Sequence, residues 1–116
     1  MDFEQARFNM VEQQIRPWDV LDPTVLDLLS KVRREEFVPQ QYRNLAFTDM
    51  GIPLGNGELM LSPKLEARLV QDAGVRPADR VLEVGTGSGY MAALLAHLAQ
   101  QVYTVYIVAE FVEQAK

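Results

Sequence analysis

Val81-Leu82-Glu83-Val84-Gly85-Thr86-Gly87-Ser88-Gly89-Tyr90 is a short apolar run that ends in three glycines within five residues. Glycine lets the backbone turn sharply and lets a ligand approach with no Cβ in the way. The residues that follow carry Met91, Leu94, Leu95 and Leu98 on one side at helical spacing. Beyond them, Val102-Tyr103-Thr104-Val105-Tyr106-Ile107-Val108 is rich in β-branched and aromatic residues and reads as a strand. Glu110 to Lys116 begins another helix. The order β-α-β-α is the unit of a parallel sheet with right-handed crossovers. In such sheets ligands bind at the carboxyl ends of the strands, where the free N–H groups of the next helix face an anionic group. The glycine spacing here is G-x-G-x-G, not the G-x-G-x-x-G of dinucleotide folds.

Upstream the pattern is helical. Asp2 caps a helix expected to run to about Ile15, with Phe8, Val11 and Ile15 on one face and Pro17 as its stop. Asp22-Pro23 is a cap followed by a first-turn proline. The helix it opens carries Leu21, Val25, Leu28, Leu29 and Val32 on one side. The charge run Lys31 to Glu36 is expected to be its solvated end. Residues 38 to 58, broken by Pro39, Gly51, Pro53, Gly55 and Gly57, read as a long irregular segment. A third helix starts at Ser62-Pro63, turns Leu65, Leu69 and Val70 inward, and stops at Gly74. The expected fold class is therefore α/β. A helical N-terminal part over residues 1–78 leads into the first β-α-β-α of a parallel sheet over residues 79–116.

Composition removes several kinds of chemistry. With 48% apolar residues the 116-residue chain can bury a core. It has no cysteine, hence no disulfide or thiol nucleophile, and one histidine, His97, too few for a multi-histidine metal site. No metal is expected. A net charge of −5 disfavours a nucleic-acid groove. No apolar run reaches the roughly 18 residues of a membrane span, and the acidic start Met1-Asp2-Phe3-Glu4 does not look like a signal peptide. The expected setting is cytoplasmic. His97 is expected as a partly exposed helix residue. Trp18, Phe37, Tyr42 and Phe47 are expected as packing anchors. Asp49 is either a substrate-side polar group or a turn residue.

The glycine stretch resembles motif I of class I S-adenosylmethionine methyltransferases. That resemblance implies a Rossmann-like methyltransferase sheet over residues 79–116 with residues 1–78 on the substrate side, and S-adenosylmethionine as cofactor, with Glu83, Gly85, Thr86, Gly87, Ser88 and Gly89 around its methionine part. Arg34-Glu35-Glu36-Phe37-Val38-Pro39, Tyr42-Arg43-Asn44-Leu45-Ala46-Phe47 and Ile52-Pro53-Leu54-Gly55 precede it in order. Together these blocks are similar to the protein-L-isoaspartate O-methyltransferase family, from about residue 7 to the C-terminus. Met10-Val11-Glu12-Gln13-Gln14-Ile15-Arg16-Pro17 resembles a bacterial branch of it. The family methylates the carboxylate of damaged aspartyl residues, the first step of their repair. The implied partner is a protein or peptide carboxylate, with no nucleic acid and no membrane.

Three departures stand out. The family's active-site serine falls, anchored on Pro63, at Leu61, which has no hydroxyl; Ser62 stands one place later, either as a substitute catalytic hydroxyl or as the N-cap of the third helix. The acid that accepts the ribose hydroxyls of the cofactor falls at Tyr106, a neutral phenol that either contacts the nucleoside or packs on the sheet. The chain also carries only one partner strand for a strand that is central in this fold. That leads us to expect a fragment of a longer chain, or an open sheet edge covered by a second copy. The alternatives to the repair function are methylation of another acceptor and a non-catalytic cofactor-binding or oligomerising module.

Overall fold

The computed structural model describes residues 2–55, 57–84 and 87–105. Helix α1 spans Phe3–Met10, and the Asp2 carboxylate accepts a hydrogen bond from the Gln5 backbone N–H (3.1 Å) at its start. The helical path does not stop at Pro17. It widens into a π-helical turn over Val11–Ile15, tightens to a 3-10 turn over Arg16–Trp18, and ends at Asp19 in a left-handed conformation (φ 61°). A proline ring clashes with the carbonyl four residues back in an α-helix. Here the turn ahead of Pro17 opens instead of breaking. The widened turn shifts the phase of the inner face, so Arg7, Met10, Val11 and Ile15 are buried. Phe8, expected among them, is 61% exposed.

Helix α2 spans Pro23–Lys31, with the Asp22 carboxylate capping the Thr24 N–H at 2.9 Å. Val25, Leu26, Leu28 and Leu29 face the core. Leu21 precedes the first turn and is exposed, contrary to the expected stripe. The Gln71 amide accepts from the backbone N–H groups of Leu21 and Asp22 (2.9 and 3.0 Å) and so ties this entry to the third helix. The charge run is also not what its composition suggests. Arg34–Phe37 forms a 3-10 turn in which Arg34 and Glu35 are buried. Their partners lie far along the chain, which is why a local pattern places them in solvent.

Residues 38–58 are more ordered than expected. Gln40–Leu45 is a further 3-10 turn, and strand β1 (Ile52–Gly55) pairs antiparallel with β2 (Glu58–Met60). The glycines that break the periodicity, Gly55 and Gly57, flank the hairpin turn. The strands are too short for alternation to be visible in sequence. Helix α3 (Pro63–Ala73) closes at Gly74 with φ 59°, as expected. Its inner face carries Pro63, Glu66, Ala67 and Val70. Leu65 and Leu69, expected inward, are exposed, because the buried Arg34 draws Glu66 to the inside and sets the helix's rotation.

Strand β3 (Arg80–Val84) pairs parallel with β4 (Gln101–Val105), from Arg80 opposite Gln101 to Val84 opposite Val105. Helix α4 (Tyr90–Leu98) makes the crossover. This is the β-α-β unit expected from the glycine stretch. Tyr90, Leu94 and Leu95 are buried, and Met91 and Leu98 pack beside them. Tyr90 stacks edge-on against Phe37 (5.6 Å between ring centroids), and Phe47 lies 5.9 Å from Phe3, so both phenylalanines act as packing anchors. Trp18 is 43% exposed under the ammonium of Lys64. The expected helix from Glu110 lies outside the described residues. Among those residues no helix is long and apolar enough to cross a membrane, and no cluster of His, Asp and Glu is placed to hold a metal ion.

Candidate functional site

Strand β3 delivers its carboxyl end, and with it the glycine turn, into a cleft of about 360 Å³. Gly87 and Ser88 line the floor beside Glu83. The facing wall is Leu54 and Leu59 of the hairpin, then Leu61 and Glu66 around the start of α3. The volume falls in the range of small-molecule sites, roughly 300–1,000 Å³.

Gly87 sits at φ 57°, and a Cβ there would meet the Leu54 Cδ1 at 3.3 Å. Its left-handed conformation favours glycine, and a Cβ there would press on the Leu54 side chain. Gly89 is also left-handed (φ 89°) and begins α4. The Ser88 hydroxyl accepts from the Tyr90 backbone N–H (3.2 Å) and so satisfies one donor of the new helix. The Glu83 carboxylate accepts from the Thr104 hydroxyl across the sheet (3.0 Å). Half-burial raises its pKa, with the Thr104 hydrogen bond pulling the other way.

The other wall is organised by a residue that sequence reading placed in solvent. Arg34 is fully buried. Its Nε donates to the Ala46 carbonyl (2.6 Å), Nη1 to Glu66 Oε1 (2.5 Å) and Nη2 to the Leu61 carbonyl (2.9 Å), and its guanidinium stacks 4.9 Å from the Tyr90 ring centroid. Burial pushes the Glu66 pKa up to about 7 against the pull of Arg34, and the Tyr90 phenol up to about 12. A second buried pair, Arg7 with Glu35, joins α1 to the same turn, and Arg7 also bonds Glu4 at 2.6 Å. In the sequence Glu66 stands one helical turn before Val70, and only the structure shows that the two share the inner face of α3.

Of the expected site residues, Glu83, Gly87, Ser88 and Gly89 come together at the cleft end of β3. Gly85, Thr86 and Tyr106 lie outside the described residues. Leu61 is at the cleft wall. Ser62 occupies the N-cap position of α3 with extended backbone, but its hydroxyl makes no capping bond and it does not line the cleft. Asp49 pairs with Lys64 (3.2 Å) away from the cleft, and His97 is an exposed helix residue whose Nδ1 lies 2.8 Å from the Ala93 carbonyl.

Comparison with known proteins now bears on this geometry. The family model for protein-L-isoaspartate(D-aspartate) O-methyltransferase matches residues 5–116. The chain belongs to this family. The protein-L-isoaspartate O-methyltransferase of Picosynechococcus sp. is 44% identical over 110 residues, which are 95% of this chain and 50% of that protein. Protein-L-isoaspartate O-methyltransferase 2 of Anaeromyxobacter sp. is 45% identical over 107 residues, 92% of this chain and 44% of that protein. The chain thus spans about half the length of the curated relatives it matches. A Plasmodium falciparum chain described as a protein-L-isoaspartate O-methyltransferase, in complex with S-adenosyl-L-homocysteine, superposes with a TM-score of 0.74 over 99% of this chain and 53% of its own, at 18% identity. That likeness establishes the shared methyltransferase fold.

Proposed function

We propose that this chain carries the cofactor turn and one acceptor wall of an S-adenosylmethionine-dependent O-methyltransferase acting on the carboxylate of isoaspartyl residues. The observation that carries the proposal is the glycine turn of a family member, at the carboxyl end of a parallel strand, opening into an apolar cleft. A turn at positive φ on the cleft floor leaves backbone without a Cβ for a ligand to approach. Glu83, Gly87, Ser88 and Gly89, with Gly85, Thr86 and Tyr106, would hold S-adenosylmethionine. Residues 79–116 are the cofactor side and residues 1–78 the acceptor side.

When bound there, S-adenosylmethionine would supply a methyl group on a sulfonium for transfer to an acceptor carboxylate oxygen, with the pair of the broken sulfur–carbon bond left on sulfur, so that the products would be a methyl ester and a neutral thioether. The acceptor is already anionic, so no strong base is needed, and the protein's part is alignment and exclusion of water. Leu54, Leu59 and Leu61 form a low-dielectric wall suited to that work. Incubation with methyl-labelled S-adenosylmethionine and an isoaspartyl peptide is expected to label the peptide as a base-labile ester. Absence of label on that peptide, with label on a different acceptor, would favour the second reading, methylation of another acceptor. What supports that alternative is the resemblance, which implies a serine where Leu61 stands.

A further inference from the structure

Arg34 reaches the glycine turn as well as the wall. Each of its nitrogens holds a partner: Nε the Ala46 carbonyl, Nη1 the Glu66 carboxylate and Nη2 the Leu61 carbonyl. With its edge tied down in this way, the plane of the guanidinium is fixed in orientation. Its face lies 4.9 Å from the ring centroid of Tyr90, the first residue of α4. Phe37, from the same 3-10 turn as Arg34, meets that ring edge-on at 5.6 Å. The Tyr90 ring is fully buried, and among the described residues its hydroxyl has no hydrogen-bond partner. The ring is thus held by its face and its edge, not by its polar end. The Tyr90 backbone N–H donates to the Ser88 hydroxyl (3.2 Å), so the place of the ring is passed on to the turn. Glycines shape that turn locally, but their freedom leaves where it stands to the side chain that packs next to it. Leu54 and Leu59 of the hairpin line the same cleft as Gly87 and Ser88. A shift of Tyr90 therefore changes the fit of whatever lies between the turn and the hairpin.

We propose that Arg34 is a positioning residue for the cofactor: through its stack on Tyr90 it sets the 87–89 turn at the distance from the hairpin that fits the amino-acid end of S-adenosylmethionine. The proposal rests on the methyltransferase reading above, in which that turn holds the methionine part. Arg34 is buried and does not line the cleft, so it acts on the ligand through Tyr90. Lysine in its place keeps a charge beside Glu66 but has neither the fork nor the flat face. The nucleoside end of the ligand, which the resemblance assigns to Tyr106, is not served by this contact.

The test is calorimetric titration of the full chain with S-adenosylmethionine and with methylthioadenosine, which keeps the nucleoside and the sulfur but lacks the amino-acid end. Each variant is titrated at a temperature where circular dichroism shows it folded. Arg34→Lys and Tyr90→Leu are each expected to weaken S-adenosylmethionine about tenfold and methylthioadenosine less than about twofold. Tyr90→Phe keeps the ring and is expected to stay within about twofold for both ligands. The double variant, Arg34→Lys with Tyr90→Leu, is expected to lose no more than about twentyfold, because both substitutions remove the same contact. An additive loss of about a hundredfold overturns the proposal. So does equal weakening of both ligands, a loss in Tyr90→Phe that matches Tyr90→Leu, or a lower melting temperature with unchanged affinity. If Arg34→Lys does not fold, the two Tyr90 variants decide; if methylthioadenosine binds too weakly to measure, the S-adenosylmethionine affinities of the single and double variants decide. A wild-type chain that binds neither ligand overturns the methyltransferase reading and the proposal with it. A wild-type chain that binds S-adenosylmethionine, with an affinity that Arg34→Lys leaves unmoved, overturns the proposal alone.

Discussion

The 34–37 turn and the 87–90 turn meet at Tyr90, and they are held in opposite ways. The first buries charge: Arg34 reaches Ala46, Leu61 and Glu66, all of them distant in sequence. The second buries almost none and is shaped by backbone, with left-handed glycines and a serine hydroxyl capping within three residues. A local turn survives the loss of its surroundings, whereas a buried guanidinium fails when any partner goes. The wall built around Arg34 is thus the fragile half of the cleft and the glycine turn the robust half.

Removing the hub should break that contrast most severely. Arg34→Ala leaves a buried carboxyl and two carbonyls without their donor, and is expected to lose about 3–5 kcal/mol in urea denaturation. A loss below about 1 kcal/mol would mean that the wall holds itself up. A second effect follows from Glu66. Its pKa is near 7 folded against 4.5 as the ordinary value, so between these values the folded chain binds more protons than the unfolded one. Stability is then expected to fall as pH rises from about 4.5 to about 7, by roughly 2–3 kcal/mol, and to level off above. Melting curves across that window should show the slope in the wild type and a flatter profile in Glu66→Gln.

The glycine turn should respond less. Gly87→Ala places a Cβ at positive φ and against Leu54, at an expected cost of about 1–2 kcal/mol in stability. Titration with S-adenosylmethionine should show binding weakened about tenfold, equivalent to about 1.4 kcal/mol; unchanged affinity would separate the turn from the cofactor. Smallest of all is Ser62→Ala. Its hydroxyl makes no cap bond, so the change is expected within about 0.5 kcal/mol in stability. Methyl transfer is expected to stay within about threefold, and a hundredfold fall would restore Ser62 to the acceptor side.

How much of this was legible follows the same division. The β3–α4–β4 unit was readable because three glycines between an apolar run and a helical stripe leave few backbone alternatives. The third helix and its glycine stop were readable for the same local reason. The hairpin at 52–60 was not, since strands of four and three residues carry too little alternation. The inward face of α3 was missed because an aliphatic stripe predicts leucines inside, and Leu69 instead lines a cleft while Glu66 goes inward.

By itself the sequence determined the βαβ unit, the third helix with its glycine stop, the glycine turn and the family. Those are properties of neighbouring residues, set by sterics, helical period and side-chain chemistry. Only the tertiary structure decided that Arg34 and Glu66 are buried together against Leu61. A charge is stable in the interior only beside its partner, and the partner here is 32 residues away.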